Sequence, residues 1–147
     1  MSSYNKSNLG ENGANVENGD DSENINPLLG TMRKLAGIVE SKTGLLKVLE
    51  PINCLKCYTL SFDSRKNKFA TFSSSNELVG CYSISDTMFS FEVTLFGGTK
   101  VAEIEDGSFY VAPFWKKTIQ SFSLNENELR LYYDNRNYYL LFNIQEL

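Results

Sequence analysis

The pattern that most constrains this chain lies at its C-terminal end, where two runs, Leu129 to Tyr133 and Tyr138 to Ile144, flank the four-residue turn Asp134 to Asn137. A strand turns successive side chains to opposite faces. With Tyr133 opposite Tyr138, the residues Leu129, Leu131, Tyr133, Tyr138, Leu140 and Phe142 share one apolar face. That face has to be buried, and a single hairpin cannot bury it alone. The opposite face carries Arg130, Tyr132, Tyr139, Leu141 and Asn143 and is mixed in character.

The same period recurs upstream between turn signals. Met32 to Val39 and Leu45 to Leu49 flank Ser41-Lys42-Thr43-Gly44, and Tyr58 to Phe62 is joined to Phe69 to Phe72 by a polar loop. Leu78 to Ile84 and Met88 to Phe96 flank Ser85-Asp86-Thr87, and Thr99 to Glu103 reads as one more short strand. One stretch has helical spacing: Val111, Phe114, Trp115, Ile119 and Phe122 fall on one face, and Pro113, tolerated only in a first turn, places the start near Tyr110. The expected fold is therefore mainly β with a minor α component, a curled antiparallel sheet or pseudo-barrel of about eight strands. Its short helix is expected near residues 110–121.

Ahead of this pattern, residues 1–27 form an acidic, Asn/Gly/Ser-rich leader, expected to be disordered, with the folded domain at 28–147. The leader carries five acids and one base, so the body is left with equal numbers of each. A neutral body lacks the basic footprint of a nucleic-acid binder, so no nucleic-acid partner is expected. The chain has no histidine, which removes imidazole-dependent triads and His-containing zinc sites. No cofactor, metal site or catalytic residue is assigned, and the domain is expected not to be an enzyme.

Cys54-Leu55-Lys56-Cys57 is followed by a strand pattern rather than a helix, which argues against a redox motif, and Cys81 alone cannot complete a zinc set. A candidate disulfide joins Cys57 to Cys81 across neighbouring strands, with Cys54 as an alternative partner; buried thiols are the other reading. Gly97-Gly98-Thr99-Lys100 lacks the spacing of a phosphate loop and reads as a tight turn. Adjacent residues on a strand face opposite ways, so at most two of the four tyrosines at 132, 133, 138 and 139 share the outer surface. Tyr132 and Tyr139 are accordingly the candidate ligand surface.

Several phrases together carry a family resemblance: Gly30-Thr31, the Cys-Tyr-Thr-Leu-Ser-Phe of 57–62, Gly80-Cys-Tyr-Ser-Ile, Thr99-Lys100-Val101 before Glu105-Asp106-Gly107, and Leu129-Arg-Leu-Tyr-Tyr. In these the chain resembles the META-type, lipocalin-like domains of small lipoproteins from Bacteroides-like bacteria, over roughly Leu29 to Ile144. It departs from them at Met32-Arg33-Lys34, where such domains often hold a tryptophan, and it shows no lipobox. The resemblance implies a curled β fold and attachment to a cell-envelope membrane through a lipid anchor, a cytoplasmic location being the alternative. The family has no agreed activity to carry over. The expectation for this chain is a non-catalytic, monomeric cell-envelope module, binding or structural, of unknown ligand, with a protein or glycan as the class of partner, and a cytoplasmic interaction protein as the alternative. The competing class is a small-molecule carrier or enzyme using the barrel interior, which requires an open cavity rather than a filled one.

Overall fold

The computed structural model describes residues 26–30, 32–63, 67–85 and 89–144. Its elements are β1 (Met32–Glu40), β2 (Leu46–Lys47), β3 (Thr59–Asp63), β4 (Lys68–Phe72), β5 (Glu77–Ser85), β6 (Ser90–Gly98), α1 (Gly107–Trp115), β7 (Ile119–Leu124), β8 (Glu128–Tyr133) and β9 (Tyr138–Ile144). These nine strands are antiparallel in one curled sheet, ordered β9-β8-β7-β6-β5-β4-β3-β1-β2, and β9 also pairs with β1. The ring of hydrogen bonds is thereby closed by eight strands, while β2 adds to the far half of β1. Closure covers most of the sheet edge that would otherwise invite association, leaving the two-residue β2 and part of β6 without a second strand neighbour.

Every expected hairpin forms, and Tyr133 pairs with Tyr138 as the alternation requires. Leu129, Leu131, Leu140 and Phe142 are completely buried. They meet Phe62, Phe69, Phe91, Phe122 and Tyr82 from the other strands, so aromatic and aliphatic side chains fill the interior. Gly80 on β5 leaves room for the Phe69 ring, which lies where a Cβ would stand. One end of the barrel is covered by α1. At the other, Leu28 inserts from the turn before β1, and the Asn26 amide donates to the Tyr82 hydroxyl at 2.6 Å. Of the leader expected at 1–27, residues 1–25 lie outside the described residues.

The seam between β6 and β7 is the least paired: Ser90 faces Ser121, and Phe122 N–H donates to the Phe89 carbonyl. Beyond that point the strands part and the end of α1 fills the gap, with Phe96 stacked on Phe114 at 5.2 Å and edge-on to Trp115 at 4.7 Å. The Lys117 ammonium donates to the Thr94 carbonyl on the freed edge of β6.

Two expected elements differ. The helix runs from Gly107 to Trp115, earlier than 110–121, and Ile119 and Phe122 belong to β7. It ends in a Schellman arrangement in which Lys117 (φ 57°) donates to the Phe114 carbonyl and Thr118 to that of Pro113. The residues after this turn are extended, and Ile119 and Phe122 enter the core from a strand. Residues 99–103 form no strand. The Asn76 side chain replaces the ladder there, donating to the Val101 carbonyl at 2.8 Å and accepting from its N–H at 2.9 Å.

Candidate functional site

With the interior occupied, one concave surface open to a ligand lies at the helix-covered mouth; a second, of about 620 Å³, lies over β4 and β5 beside Ser61, Ala70, Val79 and Gly97. The mouth cleft, of about 660 Å³, opens between α1 and the ends of β1, β8 and β9, a size ordinary for small-molecule and peptide sites. Its wall is apolar, formed by Ile38, Phe109, Ala112 and Pro113 together with the rings of Tyr133 and Tyr138. Those two rings stack at 5.8 Å. Two cations, Lys47 and Lys116, and one acid, Asp134, stand at the rim. Burial, with Tyr138 and Asp134 beside it, pushes the Tyr133 hydroxyl up to about 12, so it is a neutral donor at physiological pH.

The wall owes its geometry to how the helix is seated. Tyr110 is fully buried and its hydroxyl lies 2.6 Å from that of Thr71, which itself donates to the Thr59 carbonyl. At the start of α1 the Asp106 carboxylate accepts the Glu50 N–H at 2.9 Å and lies 4.0 Å from the Lys47 ammonium. Lys47 in turn lies 5.4 Å above the Phe109 ring. The segment leading into the helix is tied down by Glu103, which accepts hydrogen bonds from Ser73 (2.8 Å), Ser74 (2.7 Å) and Asn76 (2.6 Å). Burial alone pushes the Glu103 carboxyl up, but these hydrogen bonds outweigh it and hold the group below its usual range. A serine-rich cluster around a carboxylate suggests chemistry, yet each of these polar groups is already spent on its neighbours, and the cluster acts as a fastening.

The cysteines correct the expected pairing. The disulfide joins Cys54 to Cys57, and Cys81 is free. Strand β4 lies between β3, which follows Cys57, and β5, which carries Cys81, so the two cysteines never become cross-strand neighbours. The Lys34 ammonium donates to the carbonyls of both Cys54 and Cys57, pinning the four-residue loop to β1.

Tyr132 and Tyr139 are brought together on the outer face, at 5.1 Å between rings. Arg136 lies 3.9 Å over Tyr132 and Arg130 lies 4.7 Å over Tyr139. Burial pushes the Tyr132 hydroxyl up, but hydrogen bonds from Arg130 and Ser123 and the charges of Arg130 and Arg136 hold it below its usual value. The two rings are thus flanked by the chain's own guanidinium groups. The mouth cleft was not legible in the sequence, because Tyr133 and Tyr138 carry the alternation of core residues; only their place next to the turn hints that they stand at the rim.

No family model matches the chain. It is 32% identical over 134 residues to a protein of Tannerella forsythia described as "Putative lipoprotein", with 88% of this chain and 84% of that protein covered. The chain belongs to that protein's family. Its fold is shared with two solved structures. One is the NMR structure of a protein from Burkholderia xenovorans (TM-score 0.64, 19% identity, 86% of this chain and 97% of that one). The other is the crystal structure of a DUF4847 family protein from Bacteroides vulgatus (TM-score 0.60, 8% identity, 82% of this chain and 96% of that one). At these identities the likeness is one of fold, and the family relationship rests on the Tannerella forsythia protein.

Proposed function

We propose that this domain is a non-catalytic module held at the bacterial cell envelope by a lipid anchor, and that it binds its partner in the cleft under α1. The observation that carries the binding reading is a barrel packed full of side chains beside an open, aromatic-walled cleft at its mouth. A carrier using the interior would need the reverse. Kinship with a protein described as a lipoprotein supports the envelope location. The absence of histidine and the engagement of Glu103 and its serines support a binding rather than a catalytic role. The curled sheet is of the kind the META-type, lipocalin-like resemblance implies. Stacked Tyr133 and Tyr138 with lysines at the rim suit an amphipathic partner, a glycan or a peptide that offers both an apolar face and hydrogen-bonding groups.

Two measurements test this. Expressing the full gene in a Bacteroides host with an alkynyl fatty acid should label the protein and place it in the membrane fraction; an unlabelled, soluble product refutes the anchor. Titrating envelope oligosaccharides and peptides against the domain should move the Tyr133 and Tyr138 ring resonances in a saturable way, and Ala112→Trp, which fills the cleft, should abolish the response. Binding that persists in that variant refutes the site.

A second reading rests on the outer face. Arg130 and Arg136 lie over the rings of Tyr139 and Tyr132, the latter only 9% exposed beneath its arginine, so this face offers a partner chiefly two guanidinium groups, suited to a protein contact. Substituting both arginines by glutamine would weaken such a contact and leave the mouth cleft unaffected.

A further inference from the structure

The loop between β2 and β3 is fastened twice over, and only one of the fastenings is a covalent bond. Cys54 and Cys57, three residues apart, are joined through their sulfurs. From β1, the Lys34 ammonium donates to the Cys54 carbonyl at 2.8 Å and also to the Cys57 carbonyl. Thr59 Oγ1 donates to the Lys56 carbonyl at 2.9 Å, and the Tyr58 N–H donates to the Phe72 carbonyl at 2.6 Å. Lys56 itself lies 4.7 Å over the Phe72 ring. These contacts hold the backbone of 54–59 against β1 and β4 whether or not sulfur joins sulfur. A disulfide stabilises chiefly by closing a loop, and least when the loop is short, so this one adds little to the fold.

The two cysteines stand in unlike surroundings. Cys57 is 1% exposed, whereas Cys54 is half-buried and is followed by Leu55, which is 86% exposed. The bond is therefore approached from the Cys54 side. The Cys57 sulfur lies 4.0 Å from the Ser74 carbonyl oxygen, which would face its thiol hydrogen after reduction. A Cys-x-x-Cys pair commonly owes its reactivity to the positive end of a helix, which favours thiolate over thiol. Here a strand follows instead of a helix. The positive charge comes from Lys34, held to the carbonyls of both cysteines, and from Lys56, which stands between them in sequence.

We propose that Cys54–Cys57 is a dithiol–disulfide exchange site, which takes two electrons from a partner carrying two thiols. A thiolate of the partner attacks Cys54 Sγ and the S–S bond breaks. The electron pair leaves on Cys57 Sγ, which takes up the proton that the attacking thiol gave up. The partner's second thiol, losing its own proton, then attacks the partner's sulfur in the mixed disulfide and releases Cys54, which leaves as the thiol. Two electrons and two protons have moved, the partner departs with a disulfide, and the exchange is stoichiometric. It uses neither the cleft under α1 nor the outer tyrosine face, and it does not rest on the binding reading.

The test uses the full chain carrying Cys81→Ser, so that this pair alone reports, with glutathione as probe, two molecules of it standing for the partner's two thiols. Millimolar reduced glutathione, in about a hundredfold excess over its oxidised form, should reduce most of the pair; structural disulfides stay oxidised under that condition. The amide spectrum of the reduced protein should change only around residues 52–59. Cys57→Ser should trap glutathione on Cys54, and Cys54→Ser should trap none on the buried Cys57. In the reduced protein, Lys34→Met should slow alkylation of Cys54 by iodoacetamide about three- to tenfold at neutral pH and move its rate–pH profile upward. Lys34→Arg should keep the native profile. If Lys34→Met does not fold, the glutathione equilibrium and the two serine variants decide. A pair that stays oxidised in that buffer overturns the proposal, as does a barrel that unfolds on reduction or an alkylation profile indifferent to residue 34.

Discussion

The Tyr110 hydroxyl donates to the Thr71 hydroxyl across 2.6 Å inside the barrel, because the Thr71 hydroxyl itself donates to the Thr59 carbonyl. This chain couples α1 to the hairpin of β3 and β4 and sets how far the helix sits from the wall of the cleft. Tyr110→Phe removes one buried hydrogen bond and leaves Thr71 with its other partner. The expected loss is about 0.5–1.5 kcal/mol, measured by urea denaturation, with the cleft-facing resonances of Phe109 and Ala112 shifting more than those of β8.

Glu103 makes stability depend on acid. Its carboxyl is held below the ordinary range in the folded chain, so its contribution is fully present above the unfolded carboxylate pKa and is lost as pH falls through the lower, folded value. Glu103→Ala strands Ser73, Ser74 and Asn76 as donors and should cost about 1–3 kcal/mol at neutral pH. Denaturation midpoints of the native protein and this variant should converge as the pH is lowered below about 4.

Gly80 gives a test of packing. A Cβ there would overlap the Phe69 ring and lie 2.7 Å from the Leu95 carbonyl oxygen. Gly80→Ala should destabilise by about 1–3 kcal/mol through overpacking. Combining it with Phe69→Leu should recover part of that loss, so a double-mutant cycle reads a favourable coupling between the two substitutions.

The tyrosines should ionise in a set order. Tyr132, under the influence of Arg130 and Arg136, lies below the usual value. Tyr58 is pushed up to about 12 by burial and by the charges of Asp106 and Glu103, and burial does the same to Tyr133. A pH titration followed by ring-carbon NMR should show Tyr132 losing its proton before Tyr58 and Tyr133, and the combined substitution Arg130→Gln and Arg136→Gln should delay it.

Strand content was legible because alternation survives in the sequence wherever one face is buried, and the pairing of Tyr133 with Tyr138 follows from the length of one turn. The helix boundaries were not legible. Its stop is made by Lys117 in a left-handed conformation, a place usually marked by glycine, and it begins at Gly107 with no side chain capping it. Pro113 was equally misleading: in so short a helix it forgoes only the bond to Phe109, which lies on the exposed side. The non-strand at 99–103 depends on Asn76, some 25 residues away in sequence, offering an amide where a strand would otherwise stand. The disulfide formed through the alternative, Cys54, and not between Cys57 and Cys81, because sheet order, which separates those two by a whole strand, cannot be read from spacing.

The central claim is that side chains fill this barrel and leave binding to its surface. Methyl NMR under xenon pressure tests it most directly, since xenon enters dry apolar cavities. The account predicts that the methyl resonances of Leu60, Leu129, Leu131 and Leu140 drift only weakly and linearly with pressure. Large, saturating shifts of those four residues would contradict it and return the interior to the list of ligand sites.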